Sequence, residues 1–319
     1  MQVAPGTHFC PVEIMPAYMS ASAARRHFKQ TLGNANHLII TAMAGLDAIE
    51  RGIVTTIPDD LHAAWSPKDP VASARRSRRL LLDMALVRAV DALDVYIRHS
   101  NRKPFLIQSP HLRAEIDKAG LSIFKAFIAI EKHYSAIDHV LSSLVALMIT
   151  WRNRAAHSES DNEVQSYHKE IIKINSSDIA SRFRGLNAEH LLSGYEAYRA
   201  PGFKEIASFI NATHHYVEGL ERAQFASLRM ETFLKELVWT ALSDNARKGE
   251  TGDHARRRRA KSVWGKDATE RRKHVERFLQ HQGLSFVKHA DRFVTFDDDL
   301  LNSLTAKTPS EVLAWATAT

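Results

Sequence analysis

The sequence contains a single cysteine, Cys10, in 319 residues. One thiol excludes an internal disulfide bond and any metal centre built from several cysteines, and it fits a reducing compartment. No uninterrupted apolar stretch reaches the roughly 18 residues that cross a bilayer. Residues 1–5 also lack the charged region, followed by an apolar one, of a targeting signal. We therefore expect a cytoplasmic protein without a membrane partner.

Several chemical signatures are also missing. There is no glycine-rich phosphate loop and no Gly-x-Ser-x-Gly elbow, which argues against a nucleoside triphosphatase and a serine hydrolase. His214, His215, His274, His281 and His289 lack metal-ligand spacing, and we interpret them as surface or packing residues. Asp297-Asp298-Asp299 is better explained by a solvated turn or a helix start than by a cation site. We expect no metal and no cofactor.

Positive charge is present in excess. The formal net charge is +7, and arginines are concentrated in two runs. The runs contain Arg75, Arg76, Arg78 and Arg79, and then Arg256, Arg257, Arg258 and Arg259. Such runs attract polyanions, so nucleic acid is the partner to expect, and these arginines and Arg154 are weak candidates for contacting RNA. Solvated helix faces explain the runs equally simply, and glycines flanking the second run favour a flexible linker there.

Apolar residues at three- and four-residue spacings predict an all-α fold, a helical bundle with additional helices. We expect an irregular N-terminal arm over 1–19, a helical domain over 20–244, a basic linker over 245–265 and a small C-terminal unit over 266–319. In that α(+β) unit we expect a helix over 268–281, and two alternating segments, 284–287 and 292–296, predict a hairpin. Another pattern, from 20 to about 52, predicts one helix or two helices broken near Gly33. A single helical pattern covers 203–242, with a possible break near Gly219.

A broad apolar face from Phe124 to Trp151 predicts a long helix at the centre of the fold. Ser160 and Glu163 have the spacing of a capping box, which marks the start of a new helix. The long helix should therefore end near His157.

The end of that helix carries the residues best suited to phosphate chemistry. Arg152 offers a planar, permanently charged fork of donors to phosphate oxygens, and His157 titrates near neutral pH and can move a proton. Asn153 adds an orientable amide. Together they suit cleavage of RNA by its own 2′-hydroxyl without a metal. Residues five apart on a helix point about 140° apart, so the two charged groups converge only if the helix ends between them or a second subunit completes the site.

Arg152-Asn153, three further residues and His157 resemble the motif of the HEPN ribonucleases, in which an arginine, often followed by asparagine, precedes a histidine by four to six intervening residues. The resemblance covers residues 20 to about 174. It implies an all-helical homodimer and metal-independent RNA cleavage that leaves a 2′,3′-cyclic phosphate. It also implies catalytic roles for Arg152 and His157, with Asn153 shaping the site. Members often act as toxins or in defence against phage, beside a protein partner that restrains them.

Spacing alone does not identify this site, because Arg184 with His190 and Arg247 with His254 satisfy the loose form of the motif. Three alternatives therefore stay open. Arg152, Arg154 and His157 would also complement the negative end of a helix, which explains the charges but not Asn153. The domain would also serve as a non-catalytic module that binds RNA, nucleotide or protein. The basic C-terminal region would suit a DNA-binding regulator.

Overall fold

The computed structural model describes residues 17–54, 68–156, 163–243, 250–286 and 294–318. These residues are mostly helical, as the sequence predicts, and they divide into two compact units. The larger unit consists of residues 23–228, and the smaller unit combines the described parts of 1–22 and 229–319. In the described part of the chain, no helix is long and apolar enough to cross a membrane.

In the larger unit the helices are α1 (Ala23–Glu50), α2 (Pro70–Ser100), α3 (Pro110–Lys118), α4 (Ile123–His133), α5 (His139–Ala156), α6 (Ser166–Ile174), α7 (Ser176–Arg182), α8 (Ala188–Glu196) and α9 (Phe203–Ala226). In the smaller unit the elements are β1 (Tyr18–Met19), α10 (Met230–Ser243), α11 (Gly252–Trp264), α12 (Ala268–His281), β2 (Val294–Thr295), α13 (Asp298–Ala306) and α14 (Pro309–Thr317).

The two longest helices, α1 and α2, pack antiparallel. The rings of His27 and His99 stack with their centroids 5.3 Å apart at one end of the pair. At the other end, Arg78 Nε donates to Glu50 Oε1 at 2.7 Å. The turn of α1 that contains Gly33 remains helical, so this segment is one helix rather than two.

Helix α1 also runs antiparallel to α9. Arg25 Nη1 donates to Glu221 Oε2 at 3.1 Å, and both side chains are almost completely buried. One turn further along α1, the rings of Phe28 and His214 meet edge to face with their centroids 5.2 Å apart. A buried ion pair and an aromatic contact therefore fix the register of the two helices.

Helix α5 is the centre of the larger unit, and it is shorter than the sequence predicts. The expected single helix from Phe124 is two helices, α4 and α5, with a break after Tyr134. The break has a local cause, because Asp138 accepts hydrogen bonds from the backbone amides of Val140 and Leu141 at 2.8 and 3.1 Å and so caps a new helix. All residues from 140 to 151 are buried.

The region expected to be a basic linker, 245–265, contains helix α11. Thr251 caps this helix, and Trp264 near its end is completely buried and donates through Nε1 to the carbonyl of Leu304 at 3.0 Å. This helix was not predicted, because it contains the arginine run and because the buried residues of the helix are few and widely spaced. Helices α10, α12 and α14 pack against α11.

The division between the units therefore lies at Leu228, not at residue 244. Helix α10 belongs with α11 and α14 in the smaller unit. The break that ends α9 occurs at residues 227–229, and Gly219 lies inside the helix.

Residues 287, 292 and 293 of the expected hairpin lie outside the described residues, and the described parts of both segments pair with the N-terminal segment instead. Strands β1 and β2 are antiparallel, with Tyr18 opposite Thr295 and Met19 opposite Val294. Tyr18 also exchanges two backbone hydrogen bonds of 2.7 Å with Ser285. Residues 18–19 of the arm, which we expected to be irregular, therefore form a strand.

The buried hydrogen bond between α2 and α9 makes a first prediction. Tyr96 and Gln224 are completely buried, and the tyrosine hydroxyl donates to Gln224 Oε1 at 2.8 Å. Burial raises the Tyr96 pKa well above its usual value, so the hydroxyl stays protonated and remains a donor. Tyr96→Phe leaves a buried acceptor without its donor and should lower the free energy of unfolding by about 1–3 kcal/mol in urea denaturation followed by circular dichroism.

Tyr167→Phe is the matched control. Tyr167 is 45% exposed, and its hydroxyl contacts His139 Nδ1 at 3.0 Å at the surface. Removing this hydroxyl should change the free energy of unfolding by no more than about 0.5 kcal/mol. Equal effects of the two substitutions would contradict the assignment of Tyr96 to a buried interhelical bond.

Candidate functional site

The predicted site lies in the last two turns of the described part of α5, which contain Arg152, Asn153 and Arg154. Helix α5 runs antiparallel to α9. Thr213 Oγ1 lies 3.4 Å from Met148 Sδ, and the rings of Trp151 and Phe209 meet edge to face at 6.0 Å. The last turn of α5 therefore lies beside the first half of α9.

Trp151 fixes this turn. Its indole Nε1 donates to the carbonyl of Arg199 at 3.0 Å, and its ring meets the ring of Tyr195 edge to face at 5.5 Å. Tyr195 belongs to α8, and Arg199 lies between α8 and α9. A buried aromatic residue thus positions the backbone of the three residues that follow it.

Arg154 is used inside the protein. Its Nη1 donates to the Tyr195 carbonyl at 3.0 Å, and its Nη2 lies 3.1 Å from Glu163 Oε1. The guanidinium lies over the rings of Tyr195 and Tyr198, 3.8 and 4.6 Å from their centroids. Only 13% of the side chain is exposed. We expected Arg154 to contact RNA. In the structure its guanidinium instead makes contacts within the protein.

Arg152 has a different environment. It is half-buried, and its Nε atom is shielded from solvent without a hydrogen-bond partner. Among the described residues, its guanidinium forms neither a hydrogen bond nor an ion pair. A buried donor without a partner costs free energy, so the structure does not explain Arg152 as a stabilising residue.

Asn153 is buried, with 7% of its surface exposed. It therefore faces the packed side of α5. This position suits a residue that shapes the end of the helix, which is the role that the family resemblance implies for it.

His157 lies outside the described residues, as does Ser160. The described part of α5 extends to Ala156, and a helix end between Arg152 and His157 stays a prediction. The helix start predicted from Ser160 and Glu163 is wrong. Glu163 is not helical and pairs with Arg154, and the next helix begins three residues later at Ser166.

The residues that hold the chain after residue 162 were not predicted from the sequence. The Val164 amide donates to the Tyr195 hydroxyl at 3.2 Å. His168 in α6 is completely buried, with Nδ1 3.1 Å from Ser143 Oγ and Nε2 3.4 Å from Glu131 Oε2. The backbone is thus anchored to the bundle on both sides of residues 157–162. His168 and Ile172 are one turn apart on the buried face of α6, and this spacing was the available signal.

The first arginine run lies in the first half of α2 and is divided between free and paired side chains. Arg75 and Arg76 are exposed. Arg78 pairs with Glu50, and Arg79 pairs with Asp83 one turn away on the same helix. Two of the four arginines therefore present an exposed charge.

The second run lies on α11. Arg256 pairs with Asp253 at 3.1 Å and lies over the ring of Trp239, 4.0 Å from its centroid. Arg258 pairs with Glu250 at 2.9 Å. Arg257 is exposed, whereas Arg259 is half-buried. Two of the four arginines that suggested a DNA-binding region, Arg256 and Arg258, are therefore paired with acidic side chains of the smaller unit.

Among the described residues, no group of three histidine, cysteine or acidic side chains is arranged to hold a metal ion. Asp297 instead caps α13, with Oδ1 accepting from the Asp299 amide at 2.9 Å. His214 packs against α1, and His274 lies 3.9 Å from Glu270. His289 lies outside the described residues.

No protein-family model, curated protein or solved structure matches this chain significantly. The resemblance to HEPN ribonucleases therefore depends on residues 152–157 and on their position at the end of a central helix.

The contrast between the two arginines of this turn is testable. Arg154→Ala removes a charged hydrogen bond and stacking on two tyrosines, and should lower the free energy of unfolding by about 2–3 kcal/mol. Arg152→Ala should change it by less than about 0.5 kcal/mol. Thermal and urea unfolding of the two variants provide the comparison. A larger destabilisation by Arg152→Ala would mean that Arg152 is a structural residue.

Proposed function

We propose that this chain is a metal-independent endoribonuclease of the HEPN type. The observation that best supports it is the half-buried guanidinium of Arg152, which has no partner among the described residues although the neighbouring Arg154 is fully engaged. A guanidinium without a partner among the described residues is suited to an anionic ligand, and its planar fork matches phosphate oxygens.

The proposed reaction uses the RNA's own 2′-hydroxyl. The 2′-oxygen forms a bond to phosphorus, the bond from phosphorus to the 5′-oxygen breaks, and the products are a 2′,3′-cyclic phosphate and a 5′-hydroxyl. Arg152 stabilises the negative charge that develops on the phosphate oxygens. His157 takes the 2′-hydroxyl proton, donates a proton to the leaving oxygen or binds the phosphate. Asn153 shapes the end of the helix, and no step requires a metal or a cofactor.

The proposed enzyme is a homodimer. On α2, Arg76, Leu80, Met84 and Arg88 follow one another at four-residue intervals, and all four are exposed. Leu80 and Met84 are 63% and 52% exposed. Two large apolar side chains flanked by charges form a stripe typical of a small interface, with an apolar centre and a polar rim.

In the cell we propose a cytoplasmic toxin or an effector of defence against phage, held inactive by a regulatory partner. The exposed arginines Arg75, Arg76 and Arg257 would attract RNA, and this attraction should weaken as the salt concentration rises.

The central test is cleavage of a single-stranded RNA in the presence of EDTA. The unaltered chain should produce fragments with a 2′,3′-cyclic phosphate, and a 2′-deoxy substitution at the cleaved nucleotide should abolish the cut. Arg152→Ala and His157→Ala should each reduce the rate by about 100-fold or more.

His190→Ala is the control, because His190 follows Arg184 at the loose motif spacing but lies on α8. It should cleave at the unaltered rate. RNA left intact by the unaltered dimer, or equal rates for the unaltered chain and His157→Ala, would refute the proposal. Binding without cleavage would favour a non-catalytic module.

The dimer has a separate test. Leu80→Glu places a charge in the centre of the α2 stripe and should shift the chain from dimer to monomer in sedimentation velocity. Leu121→Glu is the matched control, because Leu121 is an apolar residue that is 97% exposed in another part of the unit. A monomeric unaltered chain, or equal dissociation by both variants, would contradict this interface.

A further inference from the structure

The larger unit contains a cleft remote in sequence from the motif of α5. It lies between the middle of α1 and the first half of α9, beside the turn that follows α7, and its volume is about 590 Å³. This volume is within the usual range for sites that bind small molecules. Its lining includes Asn36, Ile40, Arg184, Phe203, Lys204 and Asn211.

The charge of this lining is of one sign. Arg184 and Lys204 contribute two cations, and no carboxylate lines the cleft. Among the described residues, neither cation is paired with an acidic side chain. Burial, and after it the charges of Lys29, His215 and Arg25, lower the His214 pKa, so this histidine is neutral near pH 7 and can accept a hydrogen bond. A divalent cation is therefore excluded as the ligand, and an anionic group is favoured.

The backbone at Arg184 is in a conformation that non-glycine residues rarely adopt. Its φ is +52°, and the following Gly185 has φ +77°. The Gly185 amide donates to the Ala180 carbonyl at 2.6 Å, which closes the turn after α7. This bond belongs to the Schellman motif that ends α7, in which the residue after the C-cap adopts a left-handed conformation. Here it places a guanidinium at the cleft.

Apolar and amide groups complete the cleft. Phe203 and Ile40 are 45% and 51% exposed, although both are large apolar side chains. An exposed aromatic face can stack on a planar base. The amides of Asn36 and Asn211 provide donors and acceptors for the edge of such a base.

We propose that this cleft binds a free mononucleotide. Its base lies against Phe203 and Ile40, its edge is read by Asn36 or Asn211, and its phosphate is held by Arg184 and Lys204. The inference does not depend on the proposed ribonuclease activity, because none of these residues belongs to the motif at the end of α5.

Isothermal titration calorimetry of the full chain tests the proposal with the four ribonucleoside 5′-monophosphates, the parent nucleosides and inorganic phosphate. At least one nucleotide should bind with a Kd below about 1 mM. It should bind at least about 10-fold more tightly than its nucleoside or phosphate alone, because both halves of the cleft contribute.

Two charge variants connect the binding to the cleft. Arg184→Asn removes the guanidinium but keeps a residue that tolerates the left-handed backbone. Lys204→Gln removes the second cation on a helical surface. Each should weaken the nucleotide by about 10-fold or more. Lys173→Gln, an exposed lysine on α6, is the control and should leave the affinity unchanged.

Ala207→Trp is an independent test of the site. The large side chain fills the cleft from the exposed face of α9 and should abolish nucleotide binding. The proposal is overturned if no mononucleotide binds, or if the cleft variants bind as tightly as the unaltered chain. It is also overturned if only an oligoribonucleotide binds through Arg184 and Lys204, because the cleft would then hold part of an RNA strand.

Discussion

Burial of α5 on every side is the constraint on which the larger unit depends. A helix that is surrounded by protein must satisfy its polar groups internally. Thr150 does so through the carbonyls of Ala146 and Leu147, and Ser143 through His168 of α6. The surrounding helices have little freedom of register, because their contacts with α5 carry both the apolar packing and these hydrogen bonds. The part of the helix that contains Arg152 is consequently held in one orientation, as a preorganised site requires.

Part of this architecture is encoded locally and was predicted from the sequence. Helix α12 has the predicted bounds, Ala268–His281, because its apolar spacing and its preceding Asp267 act within a few residues. The break before α5 was missed because it contains neither glycine nor proline and depends on the side chain of Asp138. The pairing of β1 with β2 was missed for another reason. It joins segments at opposite ends of the sequence, and a periodic pattern carries no information about such a distant partner.

The candidate site shows the same limit at the level of single residues. Arg152 and Arg154 are two positions apart and chemically identical, and the sequence gives no reason to assign one to folding and the other to a ligand. The assignment depends on which side of α5 meets Tyr195 and Tyr198, a tertiary fact. Arg154 supports the turn through its contacts, whereas the role of Arg152 in binding a substrate stays a proposal. His157 remains assigned by its place in the motif.

The pairing of Tyr18–Met19 with Val294–Thr295 has a consequence for the order of folding. During synthesis, residues 23–228 leave the ribosome long before β2 exists, and domains generally fold as they emerge. Residues 18–19 therefore have no partner strand while the larger unit completes its core. The sheet of the smaller unit can form only after residues 294–295 have been synthesised, more than 270 residues after β1.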